Sequence, residues 1–304
     1  MNVLIVGLGS IAKKHISAIK IIRPNAQFYA LRFSLEANRI EGIQNIFSVS
    51  ELNTIKVDFA IVSNPTFAHR ETIKSLIPFN IPLFIEKPLF SEMGNGDLVN
   101  EIKKKNIKTY VACNLRFLDC LKFAKHYIED KRVNEVNVYC GSYLPDWRPG
   151  VDYKSTYSAH KEQGGGVHID LIHEIDYTYW LFGKPTKTFR LFSNKSTLGI
   201  SAFDYANYTL DYTGFNANIV LNYFRRDSKR TLEIVLENET ITVDILKNTV
   251  CNSNAKVLFK SKKTIIDTYS DQLQFFIDDV VLKNKEFNTI CEAYEILKIC
   301  LKND

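Results

Sequence analysis

The feature that most constrains this chain is its opening, where an apolar run, Val3-Leu4-Ile5-Val6, passes directly into Gly7-Leu8-Gly9-Ser10-Ile11-Ala12 and then into an amphipathic helix. Strand, glycine turn and helix start in that order read as a dinucleotide-binding turn. Gly7 allows the tight turn, Gly9 lets backbone approach a pyrophosphate, and the small Ala12 stands where helix and strand pack closely. The helix N-terminus adds bare N–H groups and the positive end of the helix dipole. Ile11, His15, Ile16, Ile19 and Ile22 follow at helical spacing, and Pro24-Asn25 ends the helix before a second strand, which completes one βαβ unit. An ordinary glycine-rich turn is the alternative for the motif taken alone.

The second strand, Phe28-Tyr29-Ala30-Leu31, ends at Arg32 rather than at an acidic residue that would bind the ribose hydroxyls of NAD. A guanidinium grips a 2′-phosphate through paired charge-assisted hydrogen bonds, and Ser34 offers a donor beside it, so the sequence favours NADP while leaving NAD open. A solvated strand-end arginine is the other reading of Arg32.

Further short apolar strands are expected at 57–62, 81–85 and 108–112, with helices near 68–77 and 91–105 between them. Alternating β and α elements imply a doubly wound parallel sheet, in which ligands lie beyond the carboxyl ends of the strands. The residues there, Asn64-Pro65-Thr66, Glu86-Lys87-Pro88 and Asn114, bring amide, hydroxyl, carboxylate and ammonium groups to one rim. Lys87 at a strand end can exchange a proton or hold an alkoxide, with Glu86 orienting it. Surface charge is the alternative for an isolated Glu-Lys pair.

Composition sets limits. The chain has 304 residues, 45% of them hydrophobic, which is enough for one large or two medium domains. A net charge of +5 without a basic stripe interleaved with aromatics argues against nucleic acid. Cys113, Cys120, Cys140, Cys251, Cys291 and Cys300 form no C-x-x-C pair and no Cys/His cluster with zinc spacing, so no metal is expected and the thiols read as buried and reduced. With the first core strand at residue 3 and no apolar run of about eighteen residues, neither a signal peptide nor a membrane contact is expected, and the chain reads as cytoplasmic.

Taken in order, Gly7 to His15, Ser63-Asn64-Pro65-Thr66-Phe67-Ala68-His69, Glu86-Lys87-Pro88-Leu89 and Gly164-Gly165-Gly166-Val167-His168-Ile169-Asp170-Leu171-Ile172-His173-Glu174-Ile175-Asp176-Tyr177 resemble the Gfo/Idh/MocA oxidoreductases over nearly the whole chain. The resemblance implies an α/β protein: a Rossmann domain over 1–117, then an α+β domain with an open, mainly antiparallel sheet over 118–304, whose last helix packs back on the Rossmann half. It implies reversible hydride transfer at a sugar or polyol carbon, with Lys87, His173 and Asp170 as the catalytic set. The cofactor set is Gly7, Gly9, Ser10, Ile11, Ala12, Arg32, Ser34, Asn64, Pro65, Thr66, His69, Glu86, Lys87 and Asn114. Family members commonly place the aspartate four residues before the histidine, whereas Asp170 precedes His173 by three. On one helix, at about 100° per residue, the two spacings put the aspartate on opposite flanks of the histidine. Asp176 or Glu174 therefore compete with Asp170 as the partner that orients His173. The glycines before this helix allow backbone to lie against a ligand.

The loop from Tyr143 to Ser158 is dense in aromatic and hydrogen-bonding side chains. Trp147, Arg148, Asp152, Tyr153 and Tyr157 suit a polyhydroxylated ring, with Arg148 able to meet a carboxylate or phosphate; a subunit contact is the plain alternative. The segment resembles family members of surface-glycan and nonulosonic-acid pathways. Arg116 matches an arginine of the family near the domain junction and completes the substrate set with Asp170 and His173; a structural ion pair is its other reading. Period-2 alternation at 135–139, 205–212, 216–224, 231–236 and 240–245 predicts the meander strands of the second sheet. Tyr208, Leu210, Ile219 and Leu221 read as a face left for a partner subunit, hence a homo-oligomer, dimer or tetramer. Two final helices are expected at 271–283 and 289–302. Three functions fit: a sugar or sugar-nucleotide oxidoreductase, a redox-neutral glycoside-cleaving enzyme with tightly held NAD, and a catalytically silent nucleotide sensor.

Overall fold

The computed structural model describes residues 1–32, Ser34 and residues 39–301. The chain divides into two compact units, the first made of Met1–Asn114 with Ile266–Lys298 and the second of Leu115–Ile265 with the chain from Ile299. The first unit is thus discontinuous in sequence, and Ile266–Lys298 belongs with the nucleotide-type fold.

The first unit holds a six-stranded parallel sheet: β1 (Asn2–Val6), β2 (Gln27–Leu31), β3 (Ile43–Ile46), β4 (Phe59–Val62), β5 (Leu83–Ile85) and β6 (Thr109–Val111), in the order β3-β2-β1-β4-β5-β6. Strands β4 and β5 are apolar throughout because both faces are covered. All four residues of β4 are buried, as are all three of β5 and β6. The helices α1 (Ser10–Ile22), α2 (His69–Leu76) and α3 (Gly96–Lys104) follow β1, β4 and β5. Strand β3 was not expected; only Ile46 of its four residues is buried, so it carries no apolar run. The expected helix at 91–105 begins only at Gly96, after a turn in which Gly94 takes φ +100°. Toward the C-terminus come α4 (Asp119–Tyr127), α5 (Val167–Asp170) and α6 (His173–Phe182) of the second unit. Next are α7 (Asp267–Phe275), which continues into a π-helical turn at Phe276–Val281, and α8 (Ile290–Leu301). Lys302, expected to end the last helix, lies outside the described residues.

The second unit holds an eight-stranded sheet: β7 (Val133–Tyr143), β8 (Lys187–Ser193), β9 (Tyr205–Tyr212), β10 (Phe215–Asn222), β11 (Phe224–Leu236), β12 (Thr240–Asp244), β13 (Thr249–Asn252) and β14 (Val257–Lys260). Neighbours pair antiparallel except β7 and β10, which run parallel, so the sheet is not a pure meander. Strands β8, β13 and β14 escaped the sequence reading. They are short or half-exposed, and the apolar Phe189 and Leu191 of β8 point outward at 60% and 62% exposure.

The partner-facing expectation for Tyr208, Leu210, Ile219 and Leu221 is overturned. They are 0%, 1%, 0% and 0% exposed within the single chain, and the Tyr208 hydroxyl donates to the Cys300 carbonyl. The register puts Phe189, Thr209, Asn218, Asn137 and Glu233 in one row on the opposite face. That open face is mostly polar.

Candidate active site

In the first unit, backbone shape carries the site. Gly7 adopts φ +89°, and a Cβ there would lie 2.5 Å from the Asn64 backbone, so only glycine permits β1 and the loop after β4 to approach. Gly9 is the N-cap of α1, and a Cβ there would meet nothing within 4 Å. The first turn of α1, begun by Ser10 and Ile11, holds no acidic residue, so the positive end of the helix is uncompensated and open to an anion. Ala12 is fully buried beneath it. Arg32 leaves β2 with its amide donating to the Ile46 carbonyl, and its Nη1 is buried without a hydrogen-bond partner among the described residues. Ser34 beside it is exposed. An open glycine, an uncompensated helix start and a buried guanidinium nitrogen fit a dinucleotide.

The loops after β4 and β5 are tied together from inside. His69 is 1% exposed, with Nδ1 3.1 Å from the Leu89 carbonyl and Nε2 3.0 Å from that of Asn64. Burial holds its pKa below the ordinary histidine value. The structure assigns His69 this brace, not a place on the rim. Asn64 donates to Thr72 Oγ1 and is itself buried, whereas Pro65 is exposed and Thr66 half-buried. Glu86 accepts from His15 Nε2 at 2.5 Å through one oxygen and from the Lys87 backbone N–H at 3.2 Å through the other. The orientation expected of Glu86 thus acts on the Lys87 backbone, which leaves the strand end half-buried through a cis Lys87-Pro88 bond. Asn114 donates to Thr268 Oγ1 at 2.7 Å.

In the second unit, side-chain hydrogen bonds carry the site. The expected single glycine-led helix is two: α5 ends at Asp170, Leu171 takes φ −100° and ψ 33°, and α6 starts at His173. Asp170 and His173 therefore sit on either side of a helix break, and spacing on a continuous helix does not decide their relation. Gly165 does not lie bare for a ligand. A Cβ there would fall 2.0 Å from the Tyr157 carbonyl oxygen, so its absence seats the Tyr157 turn against the start of α5.

Asp170, 6% exposed, is held by two phenols. The Tyr157 hydroxyl donates to Oδ1 at 2.7 Å and the Tyr223 hydroxyl to Oδ2 at 2.5 Å. Burial first, and then the Asp170 charge, push both phenol pKa values up, so both stay protonated donors. Trp147 packs edge-on to Tyr223 with ring centroids 5.2 Å apart and donates to Ser142 Oγ, and Arg148 lies over the Tyr157 ring at 5.7 Å. Tyr223 was missed by the sequence reading. The signal that could have found it is its parity with the inward Ile219 and Leu221, which puts a polar tip on the covered face. Asp152 caps its own turn at Lys154, and the Tyr153 hydroxyl donates to the Leu198 carbonyl, so these two shape the loop.

Asp176, weighed beside Asp170 as the partner that orients His173, is held by Arg116. Its carboxylate takes the Arg116 guanidinium in a fork, at 2.9 and 2.7 Å, and both side chains are 0% exposed. The structure thus corrects Arg116 from a substrate contact to a structural ion pair. Glu174 makes a second such fork with Arg230, at 2.6 and 3.1 Å. Both carboxylates lie in the first turn of α6, where the helix dipole also favours negative charge, so the helix that begins at His173 is clamped by two cations.

Among the described residues no helix is long and apolar enough to cross a membrane. The glycine turn on a parallel sheet defines a dinucleotide-binding Rossmann protein with a second, sheet-based unit. Residues 1–113 match the oxidoreductase family with an NAD-binding Rossmann fold, and residues 121–242 match the GFO/IDH/MocA C-terminal domain. The chain belongs to the GFO/IDH/MocA oxidoreductase family.

The chain is 23% identical over 208 residues to the myo-inositol 2-dehydrogenase of Thermotoga maritima, covering 65% of this chain and 59% of that protein. It is 25% identical over 131 residues to the 2,7-anhydro-N-acetylneuraminate hydratase of Mediterraneibacter gnavus, covering 42% of this chain and 34% of that one. The matches span less than two thirds of these relatives' lengths. In fold, the crystal structure of myo-inositol 2-dehydrogenase from Lactobacillus plantarum superposes with a TM-score of 0.79 at 20% identity, over 99% of this chain and 95% of the other.

Proposed function

We propose that this protein is an NAD(P)-dependent dehydrogenase or reductase acting on a CH–OH or keto carbon of a polyol, sugar or sugar nucleotide. The observation that carries this reading is one chain holding both an open, uncompensated helix start at Gly9 and a carboxylate, Asp170, set among tyrosines and a tryptophan. Gly7, Gly9 and the first turn of α1 would hold the dinucleotide, with Asn64, Pro65, Thr66, Glu86 and Asn114 shaping the rim. When bound, the nicotinamide supplies a hydride acceptor or donor. Lys87 and His173 manage the hydroxyl proton, because removing hydride from a carbinol carbon requires a group to take that proton, and Asp170 supports them.

Arg32 favours NADP, since its buried Nη1 suits a 2′-phosphate. Trp147, Arg148 and Tyr157 favour a polyhydroxylated ligand with an anionic group, as in surface-glycan or nonulosonic-acid precursors. Assembly into a homo-oligomer is proposed through the open polar face of the second sheet. The hydratase relative favours, as a second reading, a redox-neutral cycle on retained NAD.

The test is reduction of NADP⁺ and NAD⁺, followed at 340 nm, over myo-inositol, hexoses and UDP-N-acetylglucosamine, with a parallel assay for nucleotide released on heat denaturation. Turnover with exchangeable cofactor supports the dehydrogenase, and retained NAD with no net reduction supports the redox-neutral reading. Lys87→Met is expected to keep cofactor binding and lose turnover on the order of 100-fold or more. Undiminished turnover removes Lys87 from the mechanism.

A further inference from the structure

The proton count around Asp170 limits what it can bind. A phenol has one O–H to donate and two lone pairs to accept with. The Tyr157 proton is committed to Asp170 Oδ1 and the Tyr223 proton to Oδ2. Tyr223 is fully buried, whereas Tyr157 is 43% exposed, so Tyr157 is the member of this cluster that a ligand can reach. Its position is fixed twice, by the short bond to Asp170 and by the missing Cβ of Gly165 beneath its backbone.

We propose that Tyr157 forms an acceptor-only subsite, which takes a ligand through a free hydroxyl or amide N–H and rejects the same ligand when that group is methylated, deleted or oxidised to a ketone. The proposal deepens the sugar or polyol reading above and rests on it. Tyr223 is a positioning residue in this arrangement: it occupies the second oxygen of Asp170, so the carboxylate stays turned toward Tyr157. Deleting a hydroxyl from a ligand leaves the Tyr157 oxygen without the donor it would meet in the complex, and methylating it adds bulk at a fixed ring.

Trp147 gives a readout independent of turnover, because it packs on Tyr223. Its fluorescence is isolated by Trp180→Phe, which removes the chain's other tryptophan. The probes are myo-inositol with its mono-O-methyl ethers, and UDP-N-acetylglucosamine with its deoxy analogues, titrated against the full chain with and without NADP⁺. The expected result is that at least one ether or deoxy analogue binds on the order of 10- to 100-fold more weakly than its parent. Tyr157→Phe should weaken the parent by the same factor and abolish the discrimination at that position. A merely structural tyrosine would weaken parent and analogue alike.

Parents and analogues that bind the unaltered protein equally overturn the subsite while leaving the dehydrogenase reading intact, and the analogue series decides this even where Tyr157→Phe does not fold. Binding and turnover absent for every parent, with cofactor bound, instead overturn the polyol and sugar reading itself, and the subsite with it.

Discussion

The two units carry their sites by different means. In the first, the essential contacts are made by what is missing: no Cβ at Gly7, nothing in front of Gly9, and no acid in the first turn of α1. In the second, they are made by side chains that meet from distant parts of the chain, Tyr157 and Tyr223 reaching Asp170 from 13 and 53 residues away. The difference teaches where each site is vulnerable. A backbone site fails when atoms are added, and a hydrogen-bonded site fails when they are removed.

The largest expected effect lies in the second unit. Arg116→Met removes the buried counter-ion of Asp176 at the start of α6, and should cost about 4 kcal/mol in urea unfolding. Loss of under 1 kcal/mol would mean that the fork does not hold α6. The matching break in the first unit is by addition. Gly7→Ala should cost about 3 kcal/mol from its left-handed φ and its collision with the Asn64 backbone, whereas Gly9→Ala, with open space around it, should leave stability within about 1 kcal/mol. Equal losses at the two glycines would erase the distinction between a structural and a ligand-facing glycine.

A smaller effect sharpens the comparison through pH. Burial among Phe192, Phe203 and Gly166 lowers the His168 pKa to about 4. The ring is neutral when folded, and the unfolded chain binds the extra proton between about pH 4 and pH 6.5. Stability is therefore full above pH 6.5, falls as pH drops through that window, and levels off below it, by at most about 3 kcal/mol. His168→Gln should flatten this slope, and an unchanged slope assigns the effect to other groups.

How much of this was legible follows the same division. The glycine turn, the strand ends and the six-stranded parallel sheet are local patterns, so the sequence displayed all of them but the polar edge strand β3. The covered face of the second sheet was read backwards. Alternation shows that Tyr208 and Ile219 share a face, but not which face the helices cover. The break at Leu171 and Ile172 leaves no glycine or proline mark, and the Arg116–Asp176 fork joins residues 60 apart. Tyr223 looked like one more apolar strand residue because its function is in its hydroxyl.

The most direct test of the central claim, that the first unit is built to hold a dinucleotide through backbone and Arg32, is a fluorescence titration of the purified chain with NADPH and with NADH, repeated on Arg32→Ala. The account predicts tighter binding of NADPH, with Arg32→Ala weakening NADPH on the order of 10-fold or more and NADH little. Equal weakening of both would remove Arg32 from phosphate recognition. Failure of the unaltered protein to bind either nucleotide would contradict the account at its first fifteen residues.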